Sequence, residues 1–265
     1  MFQVYEKEKV TCVEMVVPHM GPVFAYYVDS MIVDTGTRYF EHELLSFYES
    51  ISIELTALTH SHEDHTGTAS WLEEHGGTPI YVHPSGIDTC MTFAPYPEYR
   101  RKTWGLRDAF HPVPYPKHLS SRRMDWEVIE TPGHAEDHVS LFNKDRGLLF
   151  SGDLFVRPKT KVIMRDESIP RIMNSIQKLL TYDFGPMFCG HAGYIADGRS
   201  RMEEKLAHLQ YLYGEVKHLH ESGRSNRAIQ EKLFPKVYPI ISYSDGEWDS
   251  FHIITSIVDD VKARV

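Results

Sequence analysis

Apolar residues recur in short alternating or continuous runs along the first two thirds of the chain. Residues 10–17 are rich in β-branched side chains, and residues 23–28 and 31–33 follow closely, which predicts three strands. Runs of the same kind predict further strands at residues 53–59, 79–83, 126–130, 138–142, 147–150 and 187–189. The part of the chain before about residue 200 is therefore expected to supply the β-sheets.

Helical periodicity separates these strands and dominates the end of the chain. It predicts helices at residues 42–48, 69–75, 169–180, 201–221 and 226–234, and a last helix starting near Asp245. Ser244 and Glu247 have the spacing of a capping box for this last helix. We therefore expect an α/β (α+β) chain, with a main domain at residues 1–200 and a helical extension at residues 201–265 packed on it.

One segment, from about residue 85 to residue 123, fits neither pattern. It interleaves prolines with aromatic residues: Pro95, Pro97, Pro112, Pro114 and Pro116 with Phe93, Tyr96, Tyr99, Trp104, Phe110 and Tyr115. A long irregular segment inside a compact domain is usually functional or disordered, and its aromatic content argues against disorder. We expect an insertion that walls a substrate pocket, with a packing flap or a dimer contact as the alternatives.

Composition and charge narrow the class of protein. With 265 residues, 42% hydrophobic and 25% charged, the chain can bury a sizeable core. No apolar run approaches the roughly 20 residues that cross a bilayer, and the first residues lack the features of a signal peptide. Its three cysteines form no C-x-x-C pair, which suits a reducing cytoplasm. A net charge of −9 disfavours nucleic acid as a partner.

These features predict a cytoplasmic protein with neither a nucleic acid nor a membrane as its partner. They leave a homodimer open.

A dense cluster of metal-ligand types follows the strand predicted at residues 53–59. His60 and His62 are two residues apart, and in an extended segment such side chains project to the same side, so both can reach one ion. After a turn, Asp64 and His65 can face a neighbouring position. Imidazole and carboxylate together suit zinc, iron or manganese.

Three later residues have the same setting. His134, Asp153 and His191 each follow a predicted strand, and each is preceded by a glycine. Open α/β folds place their chemistry at strand ends, and glycine lets backbone pass close to a site. A polar loop with solvent-facing histidines would explain the first cluster but not this repetition. The sequence therefore predicts one metal site built from four segments.

In this order, the residues resemble the signature of the metallo-β-lactamase superfamily, and Asp34 in Ile32-Val33-Asp34-Thr35-Gly36 matches its first motif. The resemblance covers about residues 10–195. It implies an αββα sandwich with two divalent metal ions, zinc first and iron or manganese as alternatives, at one edge between two sheets. It assigns His60, His62 and His134 to the first ion, Asp64, His65 and His191 to the second, and Asp153 to both. Asp34 would support the site without ligating.

The resemblance also implies a mechanism. Two cations lower the pKa of a shared water, so that hydroxide attacks an ester, thioester or lactone carbonyl of a small molecule. Asp64 and Asp153 are then the catalytic carboxylates, and Asp64 also helps to orient the nucleophile. No cysteine nucleophile is required, and Cys189 is expected to be a small buried residue.

The substrate is less defined. Glyoxalase II-like thioesterases share the helical end and a Cys-Gly-His segment, here Cys189-Gly190-His191 with Tyr194 nearby. Their basic residues after the bridging aspartate are matched in kind by Arg157, Lys159 and Lys161, although the spacing differs. Arg100, in the insertion, is a further candidate to meet a substrate carboxylate.

Other branches remain as alternatives. N-acyl-homoserine lactonases share the metal set, but Val156 replaces their usual tyrosine. A mononuclear iron persulfide dioxygenase and a phosphodiester-cleaving hydrolase of the same fold stay open. A secreted antibiotic-cleaving β-lactamase, a flavodiiron oxidoreductase and a non-enzymatic metal scaffold fit less well.

Overall fold

A seven-stranded sheet forms the first half of the molecule in a computed structural model, which describes residues 1–93 and 96–264. Its strands lie in chain order: β1 (Phe2–Lys7), β2 (Val10–Val17), β3 (Gly21–Val28), β4 (Met31–Val33), β5 (Leu55–Ala57), β6 (Ile80–Val82) and β7 (Val113–Pro114). The first four strands are antiparallel, and β4 to β7 are parallel. The parallel strands send their carboxyl ends to one edge.

A six-stranded sheet forms the second half. Its strands are β8 (Leu119–Ser120), β9 (Asp125–Glu130), β10 (Val139–Asn143), β11 (Leu148–Gly152), β13 (Met187–Cys189) and β14 (Gly193–Ile195), in the order β14-β13-β11-β10-β9-β8. A separate pair joins β12 (Ile163–Met164) to β15 (Trp248–Asp249). Since β15 lies near the end of the chain, this pair brings the C-terminal region beside the loop after β11.

The described residues also form ten α-helices and two short 3-10 helices. The α-helices are α1 (Glu41–Glu49), α2 (Glu63–Thr66), α3 (Ala69–Gly76), α4 (Ile87–Met91), α5 (Glu98–Trp104), α6 (Ile169–Leu179), α7 (Gly198–Glu221), α8 (Asn226–Leu233), α9 (Pro239–Tyr243) and α10 (Ser250–Ala263). The helices predicted at residues 42–48, 69–75, 169–180, 201–221 and 226–234 are present, with ends shifted by at most three residues. Within the described residues, no helix is long and apolar enough to cross a bilayer.

The apolar clusters define four layers. Leu44 of α1 and Leu72 of α3 pack with Ile32 on one face of the first sheet. Between the sheets, the ring of Tyr26 lies 5.3 Å from the ring of Phe150, and both belong to a core shared by the two sheets. Burying these side chains on both faces of each sheet provides the main stabilisation.

The outer face of the second sheet is covered by the C-terminal helices. Leu209 of α7 and Ile254 of α10 share an apolar cluster with Ile176 of α6 and Leu149 of β11. The layers therefore run helix, sheet, sheet, helix. The helical region begins at Gly198 and packs on the sheet directly, while its status as a separate extension stays a prediction.

The insertion is more regular than its sequence suggested. Residues 85–123 include α4, α5 and the short strands β7 and β8, joined by irregular stretches, and Ala94 and Pro95 lie outside the described residues. Arg107 is fully buried, and its guanidinium donates hydrogen bonds to the carbonyl oxygens of Thr89, Cys90 and Thr92. These bonds satisfy carbonyls at the end of α4, which is how a proline-rich segment holds a defined shape.

The prediction of a capping box at Ser244 and Glu247 is wrong. The last helix begins at Ser250, and the side chain of Asp249 accepts a hydrogen bond from the backbone N–H of Phe251. Ser244 Oγ instead accepts a hydrogen bond from Trp248 N at 3.0 Å. The carboxylate of Glu247 accepts a hydrogen bond from the guanidinium of Arg100. The strand β15 lies between Glu247 and α10. The side chains of Ser244 and Glu247 therefore accept hydrogen bonds from groups outside that helix.

Candidate metal centre

The histidine cluster lies where β5 leaves the first sheet and turns into α2. His62 is the N-cap residue of α2 and keeps an extended backbone, with φ −63° and ψ 148°. The chain turns after it, so Asp64 and His65 project from the helix while His60 and His62 remain on the strand side. This turn separates four neighbouring residues into two groups.

Three imidazoles form the first group. The ligand atoms of His60, His62 and His134 all lie within 4.8 Å of one another. His62 Nδ1 lies 3.0 Å from His60 Nε2 and 3.1 Å from His134 Nε2. Burial, together with neighbouring imidazoles, lowers the pKa of both His60 and His62 well below its ordinary value. Neutral rings present the lone pairs that a cation needs.

The second group combines a carboxylate with two imidazoles. Asp64, His65 and His191 bring their ligand atoms within 4.8 Å of one another. Asp64 Oδ2 lies 3.3 Å from His191 Nε2. A mixed set of nitrogen and oxygen donors suits zinc, iron or manganese.

Asp153 lies between the two groups. Its Oδ2 is 3.5 Å from His134 Nε2 and 3.0 Å from His191 Nε2. Its Oδ1 is 3.4 Å from His65 Nε2. Burial favours the protonated form, but the imidazoles of His191 and His65 hold the pKa of Asp153 well below its ordinary value. One carboxylate therefore contacts both groups.

Two buried atoms at this centre support metal binding independently. Within the described chain, neither His65 Nε2 nor Asp153 Oδ1 has a hydrogen-bond partner, although both are enclosed. An unsatisfied buried polar atom costs about 1–3 kcal/mol, and cations coordinated by these two atoms would remove that cost. The donor set thus fits divalent metal binding, and Asp153 contacts both ligand groups.

Asp34 supports the centre from the end of β4. Its carboxylate accepts hydrogen bonds from the backbone N–H and the hydroxyl of Thr59, at 2.7 and 2.8 Å. Its Oδ2 also lies 2.8 Å from His65 Nδ1. A hydrogen bond at Nδ1 leaves Nε2 of His65 free to face the centre. Asp34 therefore holds a ligand without joining the ligand groups.

We expect Asp34→Asn to weaken zinc binding by about 10–100-fold, because the amide cannot accept from Thr59 and His65 as the carboxylate does. Competition against a chromogenic chelator measures this change. Asp145→Asn, at an exposed turn, is the matched control and should bind zinc as the unaltered chain does. Equal affinity in both variants would contradict the role of Asp34.

Two further residues hold ligands in place. His138 Nε2 accepts a hydrogen bond from the backbone N–H of Asp153 at 3.0 Å. Glu167 Oε2 lies 3.2 Å from His134 Nδ1, and its Oε1 accepts from Met164 N at 2.8 Å. Sequence reasoning missed Glu167, because nothing local distinguishes it from an exposed acidic residue.

The contacts around Gly190 explain why a glycine precedes the ligand residue His191. A Cβ atom at this position would overlap Asp153 Oδ1 and lie 2.6 Å from His65 Cε1. The backbone is also fixed, since Gly190 N–H donates to Gly152 O and Gly190 O accepts from Phe24 N. Only a residue without a side chain fits between these two ligands.

A cavity of about 340 Å³ opens above the centre. Its floor includes five of the predicted ligands: His62, Asp64, His134, Asp153 and His191. Apolar walls come from the insertion through Tyr99 and Trp104 and from the C-terminal region through Tyr238, Ile240 and Trp248. This volume is within the range of small-molecule sites.

Besides Arg100, three cations line the cavity. Arg157 and Lys161 are exposed at the loop after β11, and Lys205 lies buried on α7. Lys205 Nζ donates to the carbonyl oxygens of Leu154 and Phe155, and burial lowers its pKa to about 8. Lys205 was not predicted, because its helix is remote in sequence from the ligands.

The predicted substrate contacts are only partly brought together. Arg157 lines the cavity, whereas Lys159 is not among the residues of the wall that the structure describes. Tyr194 lies on β14, where its hydroxyl donates to Glu8 at 3.3 Å, so it is placed away from the cavity. Arg100 lines the cavity, but Glu63 and Glu247 occupy its guanidinium in place of a substrate carboxylate. Cys189 is fully buried in the core.

Known proteins share this chain's sequence pattern over most of the ligand-bearing region. The family model of the metallo-beta-lactamase superfamily matches residues 20–191. The probable metallo-hydrolase YybB of Bacillus subtilis is 29% identical over 153 residues, which cover 55% of this chain and 68% of the relative. A hydroxyacylglutathione hydrolase of Idiomarina loihiensis is 31% identical over 123 residues, covering 46% and 40%. The probable metallo-hydrolase YflN of Bacillus subtilis is matched over 47% of its length, at 30% identity.

Solved structures agree on the architecture. The metallo-beta-lactamase family protein TTHA1429 from Thermus thermophilus has a TM-score of 0.72 at 20% identity, covering 97% of this chain and 94% of that one. At this identity the likeness concerns the fold, and it confirms the predicted αββα architecture. Together with the family model, which spans all seven predicted ligands, it shows that the chain belongs to the metallo-β-lactamase superfamily.

Proposed function

We propose that the protein is a dinuclear metal-dependent hydrolase that cleaves an ester, thioester or lactone bond of a small molecule bearing an anionic group. The observation that carries this proposal is a single cavity with two ligand groups on its floor, joined through Asp153. Its walls combine apolar side chains with cations. The relatives named as metallo-hydrolases support the reaction class.

The residues suit two divalent ions, with zinc as the first candidate and iron or manganese as alternatives. Bound ions would lower the pKa of a water between them, so that hydroxide is available near neutral pH. The carboxylate of Asp64, on the cavity floor, would accept a hydrogen bond from the attacking water and orient it. The apolar walls would exclude bulk water from the reacting carbonyl.

Charge around the cavity favours an anionic substrate. The chain carries a net charge of −9, yet Arg157, Lys161 and Lys205 line the cavity. Apart from the predicted ligands, Glu167 is the carboxylate of the described wall, and it is paired with His134. A thioester of a carboxylate-bearing thiol, such as an acylglutathione, has this chemistry, and two relatives are named as hydroxyacylglutathione hydrolases.

A substrate panel on the zinc-loaded protein tests the proposal. It compares acyl thioesters of glutathione with those of a neutral thiol, and adds lactones, aryl esters and phosphodiesters. We expect turnover of a carboxylic ester or thioester at neutral pH, with the anionic thioester preferred. Arg157→Met and Lys161→Met should each raise KM for that substrate by about 5-fold, as expected for an exposed ion pair.

Lys144→Met, at an exposed turn remote from the cavity wall, is the control and should leave KM unchanged. Metal analysis of the same preparation should give two ions per chain. One tightly held iron with persulfide oxidation, or cleavage of phosphodiesters alone, would replace the proposed function with one of the alternatives.

A further inference from the structure

The helix that carries Asp64 and His65 of the second ligand group is too short to be stable on its own. The helix α2 has four residues, and His62 at its N-cap makes no side-chain capping bond. Isolated helices need far more residues than this to be stable in water. Asp64 and His65 nevertheless project from it toward the centre. Contacts from elsewhere must therefore fix its position.

One such contact is made by Glu63, the first residue of α2. Its side chain is buried, and its two carboxylate oxygens accept hydrogen bonds from Arg100 Nε at 2.6 Å and Nη2 at 2.7 Å. Arg100 lies on α5 in the insertion and is itself 9% exposed. This bidentate pairing fixes both the distance and the plane of the two groups. Lysine, with a single ammonium, cannot reproduce it.

Arg100 also reaches the C-terminal region. Its Nη1 donates to Glu247 Oε1 at 3.1 Å, and its guanidinium lies 5.0 Å from the ring of Tyr96. Glu247 precedes Trp248 of β15, which pairs with Met164 of β12. Trp248 and Met164 both line the cavity. The same guanidinium thus contacts the ligand helix, the insertion and the strand pair that forms the cavity wall.

We propose that Arg100 is a positioning residue that holds α2, and with it Asp64 and His65, against the insertion and the β12–β15 pair. The inference rests on the proposed metal site and extends it: formation of the cavity wall and alignment of the second ligand group depend on one side chain. Removal of Arg100 would leave the Glu63 carboxylate buried without a partner, a strongly unfavourable state that α2 relieves by moving.

Zinc affinity tests this inference in the full chain. We compare Arg100→Met and Arg100→Lys by chelator competition, with the melting temperature of the metal-free protein measured alongside. Arg100→Met should weaken binding of the second zinc ion by about 10-fold or more, the range seen when support of a ligand is lost. The zinc affinity of Arg100→Lys should lie between those of the unaltered chain and Arg100→Met. Lys102→Met, on the same helix but exposed and paired with Glu98, should leave zinc affinity unchanged.

Glu247→Ala separates the two contacts of Arg100. It cuts the link to the C-terminal region while the pairing with Glu63 remains. We expect zinc affinity close to that of the unaltered chain, with KM for the best substrate raised about 3-fold and kcat little changed, corresponding to roughly 0.6 kcal/mol. A general loss of stability would not produce this split.

The outcomes separate this inference from the proposed function. An unaltered chain that binds none of zinc, iron and manganese overturns the proposed function. Two zinc ions bound equally well by the unaltered chain and by Arg100→Met overturn the role of Arg100 alone. Where Arg100→Met does not fold, Arg100→Lys decides, because it keeps a positive charge opposite Glu63. Weaker zinc binding at an unchanged melting temperature supports the proposal, and unchanged binding overturns it.

Discussion

Replacing Asp153 by asparagine is expected to lower kcat by about 1000-fold, roughly 4 kcal/mol of transition-state stabilisation. Asp153 directs one oxygen toward His65 and the other toward His134 and His191, so its carboxylate is common to both ligand groups. Asparagine keeps the shape but offers one oxygen and no charge. The second ion should be lost together with the shared water.

Turnover of the best substrate and metal content by elemental analysis check this expectation together. Metal content should fall from two ions per chain to one. Asp183→Asn, an exposed acidic position, is the control for the same chemical change and should keep both values. Full turnover by Asp153→Asn with two ions bound would remove the shared carboxylate from the mechanism.

Adding one methyl group at Gly190 is expected to be nearly as damaging. The Cβ of Gly190→Ala would meet Asp153 Oδ1 and His65 Cε1, and hydrogen bonds to Gly152 and Phe24 prevent the backbone from retreating. The ligands must therefore move apart. We expect kcat to fall by about 100-fold, the size of effect that a displacement of about 1 Å at a reacting site can produce.

Gly214→Ala is the matched control for Gly190→Ala. Gly214 lies within α7, and a Cβ there would meet nothing within 4 Å. Alanine should be neutral or stabilising by about 0.5–1 kcal/mol at that position, since glycine weakens a helix interior. Turnover and melting temperature are measured for both variants. A Gly190→Ala protein as active as Gly214→Ala would show that the site tolerates the methyl group.

The sequence was most informative where a feature depends on neighbouring residues. The spacing of His60 and His62 and the glycines before His134 and His191 are local signals, and the structure places these side chains together. Strands with apolar faces were predicted for the same reason. In contrast, β1 went unnoticed because it is an edge strand whose side chains are largely exposed, so no apolar alternation marks it.

Features that depend on distant contacts could not be read from the sequence. Arg100 looked like a free cation, because its partners are 37 and 147 residues away. Lys205 looked like one polar position of a long amphipathic helix, although it is buried beside the cavity. Ser244 and Glu247 matched a local motif that tertiary contacts overrode. Tertiary context commonly overrides such weak local preferences.

The pairing of β12 with β15 bears on the order of events during synthesis. The histidine-bearing turn leaves the ribosome long before Glu247 and Trp248 are made, so a nascent chain displays His60 to His65 without the strand pair that later walls the cavity. Contacts between segments so far apart in sequence form slowly. We therefore expect the cavity wall to be completed late, once β15 has been synthesised, and chains cut short before β15 to leave the ligands open to solvent.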